Sequence, residues 1–161
     1  GDTSDFEMKA RMFEIECPSC HETFFLMRDT YYVKGMDPRA EERLLNGSYF
    51  MHRCRKCDTI FTIYHPLLFR SPKKFNLIMS KKKQIETLDE NEKQFVVNDP
   101  KDFIRLFRIL VYEADLNVVD RLEKYLSNHG ERLVEFESFD QEQGLFWFYV
   151  DHRLMAVRTK E

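Results

Sequence analysis

The sequence predicts an α+β fold, and three observations carry that expectation. Short stretches of alternating or aromatic residues have strand character. Between them lie segments opened by Asp-Pro or Asn and carrying apolar residues at helical spacing. Strands and helices are grouped rather than strictly alternating, which favours α+β over a parallel α/β sheet.

In chain order, strand character is read at Phe13 to Glu16, Phe24 to Met27 and Tyr31 to Val33. Asp37-Pro38 supplies an N-cap followed by Pro at the first helical position, and Asn46-Gly47 a left-handed stop, so a short helix is expected from Pro38 to Leu45. Further strands are expected at Tyr49 to His52, Ile60 to Tyr64 and Phe75 to Met79. Asp99-Pro100 opens a second helix whose apolar face carries Phe103, Phe107, Leu110 and Ala114, widened by Ile104 and Val111. Asn117 is read as the cap of a third helix bearing Val119, Leu122 and Leu126, closed at His129-Gly130. A C-terminal antiparallel meander follows at Leu133 to Phe139, Leu145 to Val150 and Leu154 to Val157.

The chain has 161 residues, 43% hydrophobic and 33% charged, with 15 Phe and 7 Tyr. That is too apolar for a disordered chain and enough for one compact domain or two small units sharing a core. The longest unbroken apolar run, Leu145 to Val150, is too short to span a bilayer as a helix. Gly1 to Asp5 shows no signal-peptide pattern, although a chain opening on Gly leaves a removed leader open. A soluble, cytoplasmic protein with no membrane association is expected.

Charge is distributed unevenly. Residues 1–83 carry 15 basic against 11 acidic residues, net +4, and residues 84–161 carry 10 against 17, net −7. The polar run Ser80 to Glu92 joins them as the best linker candidate. The expected organisation is therefore 1–83 as one domain and 84–161 as an acidic accessory unit, with one continuous domain as the alternative.

All four cysteines fall in two identical spacings, Cys17-Pro18-Ser19-Cys20 and Cys54-Arg55-Lys56-Cys57. A tight turn between two thiols aims both sulfurs at one point, and a second such turn completes a tetrahedron around Zn²⁺, with Zn–S about 2.3 Å. Each pair sits between strand-like segments, the layout of a zinc ribbon. The gap of 33 residues between pairs exceeds the usual roughly 15–20, and the short helix with Tyr31 to Val33 fills the excess as an insertion. Cys17, Cys20, Cys54 and Cys57 are thus expected to ligate a structural zinc, with no position left for a reacting water.

Other readings use the same cysteines. Cys17-x-x-Cys20-His21 matches a c-type haem attachment pattern, which leaves Cys54 and Cys57 without a role. Cys-Pro-x-Cys resembles a redox dithiol, but such dithiols open a helix, and Thr23 to Leu26 looks extended. Two structural disulfides need an oxidising compartment. His21 or His52 could replace a thiolate. The simpler reading of His21 and Asp58 is a left-handed position after each pair, and His65, before Pro66, reads as a turn residue.

These motifs, with Asp37-Pro38, Leu44-Leu45-Asn46-Gly47-Ser48 and Tyr64-His65-Pro66-Leu67-Leu68-Phe69, resemble the CpXC domain of bacterial and archaeal proteins. The resemblance covers Ile15 to Met79 and continues more loosely through Phe103 to Leu126. It implies that the four cysteines are the family's paired cysteines and that the setting is prokaryotic, and it implies no activity. Arg55 stands where the family prefers Pro, so the second turn is less rigid while its sulfurs remain.

Nine basic residues face one acidic residue, Asp58, between Gly47 and Lys83. Arg53, Arg55 and Lys56 can neutralise a four-thiolate metal site of formal charge −2. Arg70, Lys73 and Lys74 are the candidate partner-binding surface, with Lys81 to Lys83 beyond them. They would meet a nucleic acid through phosphates, or the acidic half of the chain within one molecule or across a homo-oligomer. No phosphate loop, nucleophile elbow or His-Glu metal motif is present. Phe146 to Tyr149, aromatic on both strand faces, reads best as a central, fully buried strand. The expectation is a non-catalytic binding or scaffold module with an unknown protein partner. The alternatives are a nucleic-acid-associated regulator and a thiol redox protein using Cys17 and Cys20.

Overall fold

The computed structural model describes residues 10–82, 85 and 89–159. It is mixed α+β with three helices among the described residues, as expected. The chain divides into two compact units, Gly1–Ile104 and Arg105–Glu161.

The first unit opens with β1 (Ala10–Glu16) and β2 (Thr23–Asp29), an antiparallel hairpin in which Glu16 faces Thr23 and Ala10 faces Asp29. β3 (Tyr31–Val33) follows, then α1 (Pro38–Asn46). The Asp37 carboxylate accepts the Ala40 N–H, Pro38 takes the first turn, and Gly47 at φ 86° ends the helix. Each group does what its residue type favours at a helix terminus. A second hairpin, β4 (Met51–Arg53) with β5 (Ile60–Thr62), leads into β6 (Leu67–Ser71), β7 (Phe75–Met79) and β8 (Lys93–Val97).

β3, β6, β7 and β8 form one four-stranded sheet in that order. β3–β6 and β7–β8 are parallel and β6–β7 antiparallel. β6 and β8 were not expected from sequence. Leu67-Leu68-Phe69 is buried on both faces and so shows no alternation, and β8 pairs with β7 in parallel across an intervening polar run.

The run Ser80 to Glu92 is the connection between parallel strands β7 and β8, a topology that needs a dozen or more residues. The units therefore part between Ile104 and Arg105 rather than at 83/84, because β8 is held in the first unit's sheet. Within that run residues 83, 84 and 86–88, and with them Lys83 of the basic cluster, lie outside the described residues.

The core of the first unit contains Leu44, Phe50, Leu67, Phe69, Leu77, Met79 and Phe103, each at most 2% exposed. Glu92 is buried as well. It accepts the Lys73 backbone N–H at 2.7 Å, the Asn76 amide at 2.9 Å and Arg70 Nη2 at 3.0 and 3.1 Å. The Lys73 N–H, then Asn76 and Arg70, hold the Glu92 carboxyl below its ordinary range.

α2 (Pro100–Val111) opens on Asp99, whose carboxylate accepts the Lys101 N–H at 2.7 Å. The second unit continues with α3 (Leu116–Ser127) and the meander β9 (Val134–Asp140), β10 (Leu145–Val150) and β11 (Arg153–Arg158), with β10 in the centre. Asp115, not Asn117, caps α3: its carboxylate accepts the N–H groups of Asn117 and Val118. The cap lies two residues earlier because Asp115 is extended while Asn117 already sits within the first helical turn. Val119 and Leu126 pack with Phe136, Phe146, Phe148 and Val150. Trp147 and Tyr149 lie on the other face, half-buried and 38% exposed, so β10 is central but buried on one side only. Among the described residues no helix is long and apolar enough to cross a membrane.

Candidate metal centre

Two turns of the same geometry present the cysteines. In the first, Cys17 N–H donates to Glu22 O at 2.9 Å and His21 N–H to Cys17 O at 2.9 Å; in the second, Cys54 N–H donates to Thr59 O at 2.8 Å and Asp58 N–H to Cys54 O at 2.9 Å. His21 (φ 63°) and Asp58 (φ 67°) take the expected left-handed position. Each turn closes a hairpin, so strand pairing fixes where its sulfurs point.

The four Sγ atoms lie within 4.8 Å of one another. Across the two turns, Cys17 Sγ lies 3.6 Å from Cys57 Sγ and Cys20 Sγ 3.7 Å from Cys54 Sγ. Four sulfurs at about 2.3 Å from a central ion stand about 3.8 Å apart in a regular tetrahedron, so the cluster has the size such an ion needs. A disulfide would need about 2 Å, and all four cysteines are free.

The thiols do not ionise together. Cys57 is drawn down to about 6, first by hydrogen bonding to the Thr59 hydroxyl, 3.2 Å away, and to the Thr59 backbone. For Cys20 the Glu22 backbone favours the thiolate, but desolvation and the three neighbouring cysteines outweigh it and push the thiol up to about 12. One thiolate thus opposes the next. A divalent cation at the centre removes that opposition, and the donor set fits one.

No histidine joins the cluster. His21 lies on the solvent side with Nδ1 3.3 Å from Glu16 Oε2. His52 stacks on Phe24 at 4.9 Å between centroids. His65, read as a turn residue, is a core side chain, 1% exposed and set among Phe13, Tyr49 and Phe50. Its Nδ1 lies 3.0 Å from Pro66 O, and its Nε2 has no partner among the described residues. Burial pushes its pKa down to about 4.

The charged residues around the cysteines are mostly paired. Arg53 meets Asp58 at 3.0 Å and Lys56 meets Glu22 at 3.2 Å, the second pair linking the two turns. Sequence reasoning missed Glu22 and Thr59; their positions two residues beyond Cys20 and Cys57, with oxygen-bearing side chains, were the available signal. Of the three residues read as a partner surface, Lys73 and Lys74 are exposed on the β6–β7 turn. Arg70 is turned away from them in function, its guanidinium held by the buried Glu92.

Comparison with known proteins adds one match. A family model described as CpXC protein covers residues 15–138, a span that contains all four cysteines. No curated protein and no solved structure matches the chain. With a cysteine cluster of this geometry inside a match over more than half its length, the chain belongs to the CpXC family.

Proposed function

We propose that this protein is a non-catalytic binding or scaffold module whose first unit is held together by a structural zinc ion on Cys17, Cys20, Cys54 and Cys57. The carrying observation is the convergence of four sulfurs at cross-turn distances of 3.6 and 3.7 Å. Four thiolates suit zinc or iron, and zinc is preferred because a closed site needs no geometry beyond the tetrahedron. Such a site holds all four positions with protein ligands, which leaves none for a substrate or an activated water. The metal would contribute folding energy, its thiolates would hold the two hairpins together, and a reducing compartment such as the cytoplasm suits it.

The target of binding is read as another protein, with nucleic acid as the competing class. Metal analysis of untagged protein tests the site: one zinc per chain is expected, and stoichiometric iron or no metal overturns it. Retention on mixed DNA and RNA at low ionic strength, lost steeply as salt rises, would favour the competing class.

A further inference from the structure

A cavity of about 410 Å³ lies beside the cysteine cluster, lined by Phe24, Phe25 and Leu26 of β2 and by His52, Arg55 and Lys56. Alternate side chains of a strand point to opposite faces. Three consecutive residues of β2 on one cavity therefore mean that the cavity runs along the edge of the strand, not over a face. That edge is unpaired: β1 and β2 form a two-stranded sheet, and among the described residues no backbone bond reaches β2 at Phe24 to Met27 from any other strand.

The direction of each backbone group follows from the turn. Cys17 N–H points across the hairpin to Glu22 O, and in an antiparallel ladder the bonded and non-bonded pairs alternate. With Glu16 facing Thr23 and Glu14 facing Phe25, the N–H and C=O of Thr23, Phe25 and Met27 point outward. Consistent with this, the Met27 carbonyl accepts Nη1 of the neighbouring Arg28 at 3.1 Å. Phe25 keeps its outward pair, and its side chain is 64% exposed.

The rim is unevenly charged. Lys56 is paired with Glu22, whereas Arg55 is exposed and has no side-chain partner among the described residues. We propose that the outer edge of β2 accepts an extended peptide from a partner protein as an added strand, with an acidic side chain of that peptide meeting Arg55. One residue of the incoming strand exchanges both backbone hydrogen bonds with Phe25, the mode by which exposed sheet edges capture peptides. Apolar side chains on its cavity side pack against Phe24 and His52. This rests on the reading of the chain as a binding module, and it names the site and the chemistry of the occupant.

The test uses the metal-loaded full chain and two blocked heptapeptides of alternating valine and threonine, one with a central aspartate and one with a central lysine. Amide exchange is followed by NMR. The acidic peptide is expected to slow exchange at Phe25 and to bind more tightly than the basic one. Arg55→Glu should reverse that preference. Phe25→Pro removes an outward N–H while sparing the bonds to β1, and should weaken binding about five- to tenfold at unchanged metal content, whereas Phe25→Ala keeps the backbone bond. The proposal is overturned if neither peptide slows exchange at Phe25, if Arg55→Glu leaves the preference unchanged, or if oligo(dT) protects this edge instead. Peptide binding that maps to another surface also overturns it, yet leaves the binding-module reading in place.

Discussion

Cys17 Sγ lies 3.6 Å from Cys57 Sγ, forty residues further along the chain. The second turn reaches the first from inside the connection between parallel strands β3 and β6. The cysteine cluster and the four-stranded sheet are thereby parts of one folding problem.

Cys54→Ser should abolish stoichiometric metal binding and unfold the first unit. Structural zinc contributes on the order of 10–16 kcal/mol in small fingers, as much as a whole domain's stability. The core around Val119, Phe136 and Phe148 contains no cysteine, so the near-ultraviolet signal of Trp147 is expected to survive. An unchanged melting profile with full metal content would refute the four-cysteine assignment.

His65 predicts an acid-sensitive core. Its folded pKa is pushed down to about 4 from an unfolded value of about 6.5, so across that window the unfolded chain binds the proton and the folded chain does not. Stability conferred by the neutral ring is present above about pH 6.5 and falls as pH drops, by about 3 kcal/mol once pH 4 is passed. His65→Leu should lose this slope. Comparing denaturant midpoints of the two proteins at pH 7 and pH 5 cancels the acid sensitivity they share at the four cysteines.

Glu92→Gln should destabilise the first unit, because three donors converge on a buried carboxylate. Its depressed pKa makes the contribution present above the ordinary carboxylate range and lost as pH falls through the folded value. A cycle with Arg70→Met should be less than additive, since the second change removes a donor already left short. Additivity would mean that Arg70 and Glu92 act independently.

Asp115→Ala should cost about 1 kcal/mol through loss of the α3 cap, whereas Asn117→Ala should cost almost nothing. Urea denaturation of the two variants distinguishes them, and equal losses would contradict the assigned cap.

Local chemistry determined much of this protein from sequence alone. The paired cysteines, the left-handed His21 and Asp58, the Asp37-Pro38 cap and the Gly47 stop each depend on neighbours within a few residues, where residue type nearly dictates backbone geometry. Tertiary structure alone decided what depends on distant partners. β6 became an inner strand because β3 and β7 pair with its two edges, and the polar run before β8 became a crossover because its ends must reach parallel strands. Arg70 and His65 show the same limit in side chains. A cation read as part of a partner surface is held by the buried Glu92, and an imidazole read as a turn residue is enclosed by aromatic rings that keep it neutral, because those partners are remote in sequence.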